Sequence, residues 1–192
     1  MRRTKEHSQE TADKLLDIAR IRFTEQGYSN ASLEEIVAEA GMTRGALYHH
    51  YGNKLGLFKA VVSAVQAELG EKVEREASRS DDPLEQLILG CKAFVEAAVS
   101  PSALRILLLD GPAVLGWETW RRLDEENAMR HLREQLEILQ ENGYYSGLSP
   151  AAMTRFLSGA LNESALWIAE RPNEPEALEE TMAVILHMLK RR

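Results

Sequence analysis

Hydrogen-bonding and cationic side chains are concentrated in residues 43–54, where they are interleaved with two small residues. Hydroxyl, guanidinium, imidazole and ammonium groups can bind the phosphates or the base edges of DNA. The small residues, Gly45 and Ala46, would let a helix backbone approach a major groove closely. This segment therefore has the chemistry of a nucleic-acid contact. Its polar members are Thr43, Arg44, Tyr48, His49, His50 and Lys54.

Two short helices and a tight turn are predicted to position these side chains. Ser32 and Glu35 have the spacing of a capping box at the start of the first helix, whose apolar residues then recur at i, i+3, i+4 and i+7. Gly41 is expected to end this helix, and Thr43 is a good N-cap for the second. The pattern over residues 32–54 predicts a helix-turn-helix.

Residues 41–51, which read GMTRGALYHHY, resemble the DNA-binding signature of the TetR family of bacterial repressors. The resemblance extends over roughly residues 8–60. It implies an all-α protein of about nine helices, and no strand pattern occurs in the sequence. Residues 1–55 would form a three-helix helix-turn-helix domain that binds DNA. Residues 56–192 would form a helical domain for effector binding and dimerisation.

The resemblance also implies a role for each matched position on a palindromic operator in double-stranded DNA. Thr43, Arg44 and Gly45 would enter the major groove, where Ala46 can offer only a contact to a thymine methyl group. The other matched residues would mainly hold phosphates, and His49 is expected also to reach a base. These residues are Ser32, Tyr48, His49, His50 and Lys54.

The net charge of −7 is unfavourable for DNA binding unless it is unevenly distributed. Residues 1–55 contain eight basic and eight acidic residues, whereas residues 56–192 contain fifteen basic and twenty-two acidic residues and carry the whole excess. Screening at physiological salt acts over about 8 Å. The acidic second domain is therefore compatible with a local phosphate contact in the first.

Two further features are predicted before the motif. Residues 1–8 contain three cationic residues and no apolar anchor. They are expected to be a mobile terminus or a basic arm that touches the minor groove or the DNA backbone. The apolar spacing that follows predicts a supporting helix over residues 9–26, which Gly27 should end.

Several helices are predicted after the motif. A long helix of about 24 residues begins at Lys54 and should link the two domains. Pro83 and Pro150 each start a helix, while Asp110-Gly111-Pro112 should break one. A single long helix is expected to run from about residue 114 to residue 142.

The last two helices, predicted over residues 150–170 and 174–190, carry wide apolar stripes. The resemblance implies that they pack against a second copy of the chain as a four-helix bundle, which gives a homodimer. Alternatively, both stripes only close the core of one subunit. The predicted contact residues are Phe156, Leu157, Ala160, Leu161, Ser164, Ile168, Met182, Ile185, Leu186 and Leu189.

Large side chains beyond residue 80 could enclose an apolar cavity. The resemblance implies that such a cavity binds an unidentified small-molecule effector, although plain core packing is an alternative interpretation. The candidate lining residues are Phe94, Trp117, Trp120, Met129, Phe156, Asn162 and Trp167. Possible polar anchors are Arg105, His131, Asn162 and Glu163.

The sequence contains no recognisable catalytic, metal-binding or cofactor motif, so we predict neither an enzyme nor a cofactor. Cys91 lies on an apolar stripe and is expected to be a buried structural thiol. No apolar run is long enough for a transmembrane helix, and the polar start is not a signal peptide, so a cytoplasmic location is expected. The competing hypothesis is a helical ligand- or partner-binding module with a vestigial helix-turn-helix.

Overall fold

The computed structural model describes the backbone of residues 2–190 and the side chains of residues 9–190. Within residues 2–190 the chain is helical and contains no strand. The helices are α1 (Arg2–Asn30), α2 (Leu33–Ala40), α3 (Arg44–Tyr51), α4 (Lys54–Ala77), α5 (Pro83–Ala98), α6 (Pro101–Ala103), α7 (Gly111–Leu115), α8 (Trp117–Glu125), α9 (Ala128–Glu141), α10 (Pro150–Ala169) and α11 (Ala177–Leu189), with a π-helical stretch over Leu104–Asp110.

Helix α1 begins at Arg2, so the prediction of a start near residue 9 was wrong. The backbone of residues 2–8 of the expected mobile arm belongs to this helix, while residue 1 and the side chains of the arm lie outside the described residues. Gly27 interrupts α1 with φ 74° and ψ 164°, a conformation that favours glycine. The break in the helix at Gly27 was predicted correctly, although a short helical turn follows it.

A compact core joins helices α1 to α4. Phe23 and Phe58 pack edge to face with ring centroids 5.2 Å apart, and neither ring is exposed to solvent. Leu47 of α3 and Ile36 of α2 are equally buried in this core. Helix α4 contributes Phe58 to this core near one end and reaches Ala77 at the other, so that its 24 residues span about 36 Å.

The middle of the chain departs from the predicted helices in two places. Asp110-Gly111-Pro112 does not break a helix, because the backbone continues from the π-helical stretch into α7 with Pro112 in the first turn. Conversely, the single helix expected over residues 114–142 is divided. It is interrupted at Gly116, where φ is 77°, and again at Asn127, which separates α8 from α9.

A second core lies among helices α5, α9, α10 and α11. Its most deeply buried members include Val95, Leu136 and Leu139, and Cys91 lies beside them. Tyr145 joins the C-terminal helix to this core, since its hydroxyl donates a 2.6 Å hydrogen bond to the carbonyl oxygen of Leu189.

Among the described residues, no single helix is both long and apolar enough to cross a membrane, while the pair Pro83–Ala98 and Pro101–Leu115, bent by 78°, meets that criterion only when taken together.

Candidate nucleic-acid interface and effector pocket

The second helix of the helix-turn-helix presents its polar residues on one exposed face. Leu47 is buried against the first core, whereas Arg44, Gly45 and Tyr48 face solvent. Tyr48 is 52% exposed although it is aromatic. Thr43 and His49 are also exposed, while Ser32, Ala46, His50 and Lys54 are half-buried. The structure thus brings the nine predicted DNA-contacting residues to one end of the molecule.

Both helices of the motif begin with a side-chain cap from the predicted hydroxyl, whereas the bond expected between the Glu35 carboxylate and the Ser32 amide is absent from the described hydrogen bonds. Ser32 Oγ accepts a 3.4 Å hydrogen bond from the backbone amide of Glu35, and Thr43 Oγ1 accepts one of 3.2 Å from the amide of Ala46. Gly41 ends α2 with φ 66°, in the left-handed region. These local contacts fix the turn and therefore the angle at which α3 leaves it.

Tyr51 fixes α3 against the supporting helix. Its hydroxyl donates a 2.7 Å hydrogen bond to the carbonyl oxygen of Ala12 in α1. Partial burial, followed by the nearby Asp13 and Asp17, raises the pKa of this phenol, so Tyr51 remains a neutral donor. An eight-residue helix is unstable alone in water, and this contact helps to explain why α3 persists.

Three residues of the two helices form a connected polar chain on the exposed side of the motif. Ser32 Oγ donates a 3.0 Å hydrogen bond to Glu34 Oε2, and Arg44 Nη2 contacts Glu34 Oε1. Hydrogen bonds from the backbone amide of Glu34 and from Ser32, followed by the charge of Arg44, lower the pKa of Glu34. Glu34 was not among the residues predicted to contact DNA.

Lys54 is partly engaged within the protein. Its Nζ donates a 3.3 Å hydrogen bond to the carbonyl oxygen of Ser29 and lies 4.7 Å from the centre of the Tyr28 ring. Desolvation, countered by Glu34, lowers the pKa of Lys54. The ammonium group is therefore held near the start of α4 rather than extended into solvent.

The second region contains a pocket of about 230 Å³ among helices α4, α5, α9 and α10. Its walls are mainly apolar, with Val73, Leu87, Phe94 and Leu132 among them, and His131 adds an imidazole. Among the described residues that line it, none is lysine or arginine, whereas the carboxylates are those of Glu74, Asp124 and Glu134. The pocket therefore suits an apolar ligand that carries no negative charge.

The seven predicted lining residues are only partly brought together. Phe94 and Met129 line the pocket, and Trp120 and Asn162 line a smaller neighbouring cavity that Phe94 also contacts. The prediction was wrong for Trp117 and Phe156, each 60% exposed. It was also wrong for Trp167, which lines neither cavity and stacks on Arg171. Their helical spacing indicated an apolar face but not which helix would cover it.

Of the possible polar anchors, His131 alone lines the main pocket. Arg105 turns away from it and contacts Asp110 at 3.4 Å. Glu163 is exposed and lines neither cavity.

A buried polar cluster at the base of the pocket was not foreseen from the sequence. Arg121 Nη1 donates hydrogen bonds to Asp124 Oδ2 at 3.0 Å and to Ser158 Oγ at 3.1 Å. Gln66 of α4, with its amide oriented to satisfy both groups, donates to the carbonyl of Leu123 and accepts from the amide of Asp124. Desolvation raises the pKa of Asp124, and Arg121 opposes this rise.

Side-chain contacts connect the two regions. Asp110 Oδ2, in the π-helical stretch, accepts a 2.8 Å hydrogen bond from the backbone amide of Tyr28. Arg20 of α1 donates to both carboxylate oxygens of Glu68 in α4, at 2.6 and 2.7 Å, and to Ser102 at 3.1 Å. A movement of the helices around the pocket would therefore be transmitted to α1 through these hydrogen bonds.

Half of the predicted dimer residues lie in the core of this chain rather than on its surface. Leu157, Leu161, Met182, Ile185 and Leu189 are buried in the core of this chain, which corrects the prediction for those positions. The other predicted residues, Phe156, Ala160, Ser164, Ile168 and Leu186, are exposed or half-buried. Helix α11 adds two exposed apolar residues that were not among the predicted dimer residues, Val184 at 60% and Met188 at 52%.

Cys91 is buried as expected, and burial raises the pKa of its thiol to about 12. It is therefore an unreactive thiol at neutral pH. In the part of the chain that the structure describes, no group of three or more histidine, cysteine and acidic side chains could hold a metal ion.

Comparison with known proteins covers both regions. Residues 15–61 match the family described as bacterial regulatory proteins, tetR family, and residues 84–191 match the tetracyclin repressor-like C-terminal domain. A TetR-family transcriptional regulator from Pectobacterium atrosepticum is 33% identical, with a TM-score of 0.78, and the match covers 96% of this chain and 95% of that one.

Curated relatives match part of the chain. The HTH-type transcriptional regulator AcrR of Shigella flexneri is 37% identical over 56% of this chain and 50% of its own length. The HTH-type transcriptional regulator TtgR of Pseudomonas putida is 37% identical over 47% of this chain and 41% of its own. The chain thus spans half or less of the length of these two relatives.

Proposed function

The chain belongs to the TetR family of bacterial regulatory proteins, and we propose that it is a transcriptional repressor that binds a palindromic operator as a homodimer and is released by a small-molecule effector. The observation that carries this proposal is the exposed polar face of α3, held by the Thr43 cap and by the Tyr51 anchor. Action on bacterial DNA would take place in the cytoplasm.

The face of α3 supports a division of labour among its residues. Arg44 and Gly45 lie in the first turn, where a recognition helix contacts base edges, and Arg44 can bind the two acceptors of a guanine. Tyr48 and His49, one turn later, would contact the phosphate backbone, together with Ser32 at the start of α2. The half-buried Ala46 leaves only its methyl group for a thymine.

Dimerisation is supported by the exposed apolar residues of α10 and α11. Phe156, Val184 and Met188 are each more than half exposed on neighbouring helices. A palindromic operator requires two reading helices related by two-fold symmetry, and a two-fold interface uses the same patch on both copies. We therefore propose that this patch is the centre of the dimer contact.

Effector response is supported by the way in which α4 joins the two regions. Phe58, near its start, belongs to the core beneath the DNA-reading helices, while Val73 and Glu74, near its end, line the pocket. A ligand that fits the pocket better in one position of α4 would shift the spacing of the two α3 helices in the dimer. The lining chemistry favours an apolar effector that is uncharged or positively charged.

The first experiment is selection of duplexes from a random DNA library by the purified protein at a stated salt concentration. We expect enrichment of a palindrome whose half-sites are about one helical turn apart. Failure to enrich any duplex at low salt would contradict the proposal and favour a ligand- or partner-binding module with a vestigial helix-turn-helix.

Two phenylalanine variants then separate effector binding from dimerisation. Phe94→Ala enlarges the pocket and should change which compounds release the operator, while the protein remains dimeric. Phe156→Ala makes the same change on the exposed surface and should weaken the dimer without changing compound preference. Sedimentation of the free proteins and operator release by a compound panel measure the two effects. Identical behaviour of both variants would contradict the assignment.

A further inference from the structure

A carboxylate lies on the DNA-facing side of the helix-turn-helix, where it would be repelled by phosphates. The side chain of Glu34 is 60% exposed and is in contact with Arg44, the residue proposed to read a base. A negative charge at this position lowers affinity for every DNA sequence, because phosphate attraction is common to all of them. Its position beside Arg44 points to a role in DNA recognition that compensates for this loss of affinity.

Helix α2 holds this carboxylate in place. Glu34 is the second residue of the helix, where the helix N-terminus favours negative charge. The hydroxyl of Ser32 donates a 3.0 Å hydrogen bond to Oε2, which leaves Oε1 directed to Arg44 Nη2. The carboxylate is thus fixed from one side by the cap of α2 and bound on the other by the first residue of α3.

The contact uses only part of the hydrogen-bonding capacity of Arg44. A guanidinium group has five N–H donors in one plane, and bidentate recognition of guanine needs two of them. Binding of Nη2 by Glu34 limits the orientations that the long Arg44 side chain can adopt. An unrestrained arginine at this position could instead reach a phosphate, which carries no sequence information.

We propose that Glu34 is a positioning residue that holds Arg44 for base readout and thereby sets sequence specificity at the base pair that Arg44 contacts. The proposal rests on the proposed function, because it requires an operator. It predicts that Glu34 lowers affinity for DNA in general and increases discrimination at one position of each half-site.

The test begins with the selected operator and a set of duplexes, each with one base pair replaced. Arg44→Ala identifies the base pair that Arg44 reads, because discrimination is lost there. Glu34→Ala should reduce discrimination at that same base pair roughly tenfold and leave the other positions unchanged. Its affinity for a duplex of unrelated sequence should rise.

Glu35→Ala is the matched control. Glu35 is also exposed and lies one residue further along α2, one helical turn before Glu39, which forms an ion pair with Arg22. Its removal takes away the same charge, so it should raise general DNA affinity without changing base discrimination. Thermal unfolding of both variants establishes that the fold is intact.

A double variant tests whether Glu34 acts through Arg44. In the Arg44→Ala background, Glu34→Ala should leave base discrimination unchanged. The inference is overturned if Glu34→Ala and Glu35→Ala change all affinities by the same factor, or if Glu34→Ala alters discrimination without Arg44. If the wild-type protein enriches an operator and either of these results is obtained, only the inference about Glu34 is overturned and the proposed function stands. If the wild-type protein enriches no duplex, the proposed function falls as well.

Discussion

The helix-turn-helix region and the pocket region differ in where their candidate functional residues lie relative to the core. Around α1 to α4, residues such as Phe23 and Leu47 are buried in the interior, and the residues proposed to act are exposed or half-buried. Around the pocket, the residues proposed to act line the interior, and Asp124 is buried with its partner Arg121. Substitution of functional residues should therefore leave stability intact in the first region and alter it in the second.

The largest effect is expected from the core beneath the DNA-reading helices. Phe23→Ala removes a ring with no solvent exposure and should lower the free energy of unfolding by about 3–5 kcal/mol. Operator binding would be lost with the fold. Urea unfolding measures the change, and Tyr48→Ala, on the exposed face, is the control that should stay within about 0.5 kcal/mol of wild type. If Phe23→Ala and Tyr48→Ala lowered the free energy of unfolding equally, the proposed difference between the core and the exposed face of α3 would be wrong.

The next largest effect is on DNA affinity alone. Arg44→Ala should weaken operator binding by about 1–3 kcal/mol, because it removes the proposed guanine contact. Stability should change little, since the ion pair with Glu34 is exposed on both sides. Titration of the operator and of mismatched duplexes measures the loss. An equal loss on every duplex would show that Arg44 binds phosphate rather than a base.

Gly45→Ala should move stability and affinity in opposite directions. A Cβ at Gly45 would lie 3.7 Å from Thr43 Oγ1, which is ordinary contact, so the protein itself has room for it. Alanine in a helix is favoured over glycine by about 0.5–1 kcal/mol, and the melting temperature should rise. The added methyl lies on the face proposed to enter the groove, so operator affinity should fall. Unchanged affinity would place this part of α3 outside the groove.

The smallest effect is a pH dependence at the pocket. The pKa of Asp124 is raised above 3.8 in the folded protein, chiefly by desolvation. The folded state therefore binds its proton more tightly than the unfolded state, and this contribution to stability is full below about pH 3.8 and is lost as the pH rises through the folded pKa. The charge of Arg121 and its hydrogen bond to Asp124 oppose the rise of the pKa.

Asp124→Asn removes this titration. Urea unfolding of both proteins at a series of pH values should show that the wild type loses stability relative to the variant as the pH rises from about 3.8. A wild type that gains stability over that range would mean that the attraction of Arg121 exceeds the cost of desolvation.

The helix-turn-helix could be predicted closely because its structural signals are local. Ser32, Gly41 and Thr43 act on backbone groups within a few residues, so their types and spacing were sufficient to place α2, the turn and α3. The membership of the family and the all-α fold with an N-terminal three-helix motif were also confirmed. The Arg44–Glu34 contact was missed, since it joins two helices across the turn.

The middle of the chain shows where local signals fail. Gly111 and Pro112 have the composition of a break, yet the helix continues because Gly111 packs against Trp120, and a Cβ there would lie 2.8 Å from the carbonyl oxygen of Ile106. Near Asn127 the chain turns without any proline or glycine. At Gly111 the close packing against Trp120 outweighs the intrinsic preference of the backbone, whereas at Asn127 the side chain donates a 2.7 Å hydrogen bond to the carbonyl oxygen of Leu123 in the preceding turn.

The sequence by itself determined the helical fold, the position of the reading helix and the residues on its exposed face, because capping and periodicity act over one or two turns. Only the tertiary structure decided that Trp117 and Phe156 lie outside the pocket and that half of the predicted dimer residues close this subunit's own core. It also decided that Arg121, Asp124 and Ser158 meet beneath the pocket. An apolar stripe indicates that a helix face is covered. Which helix covers it depends on how helices far apart in the chain pack together.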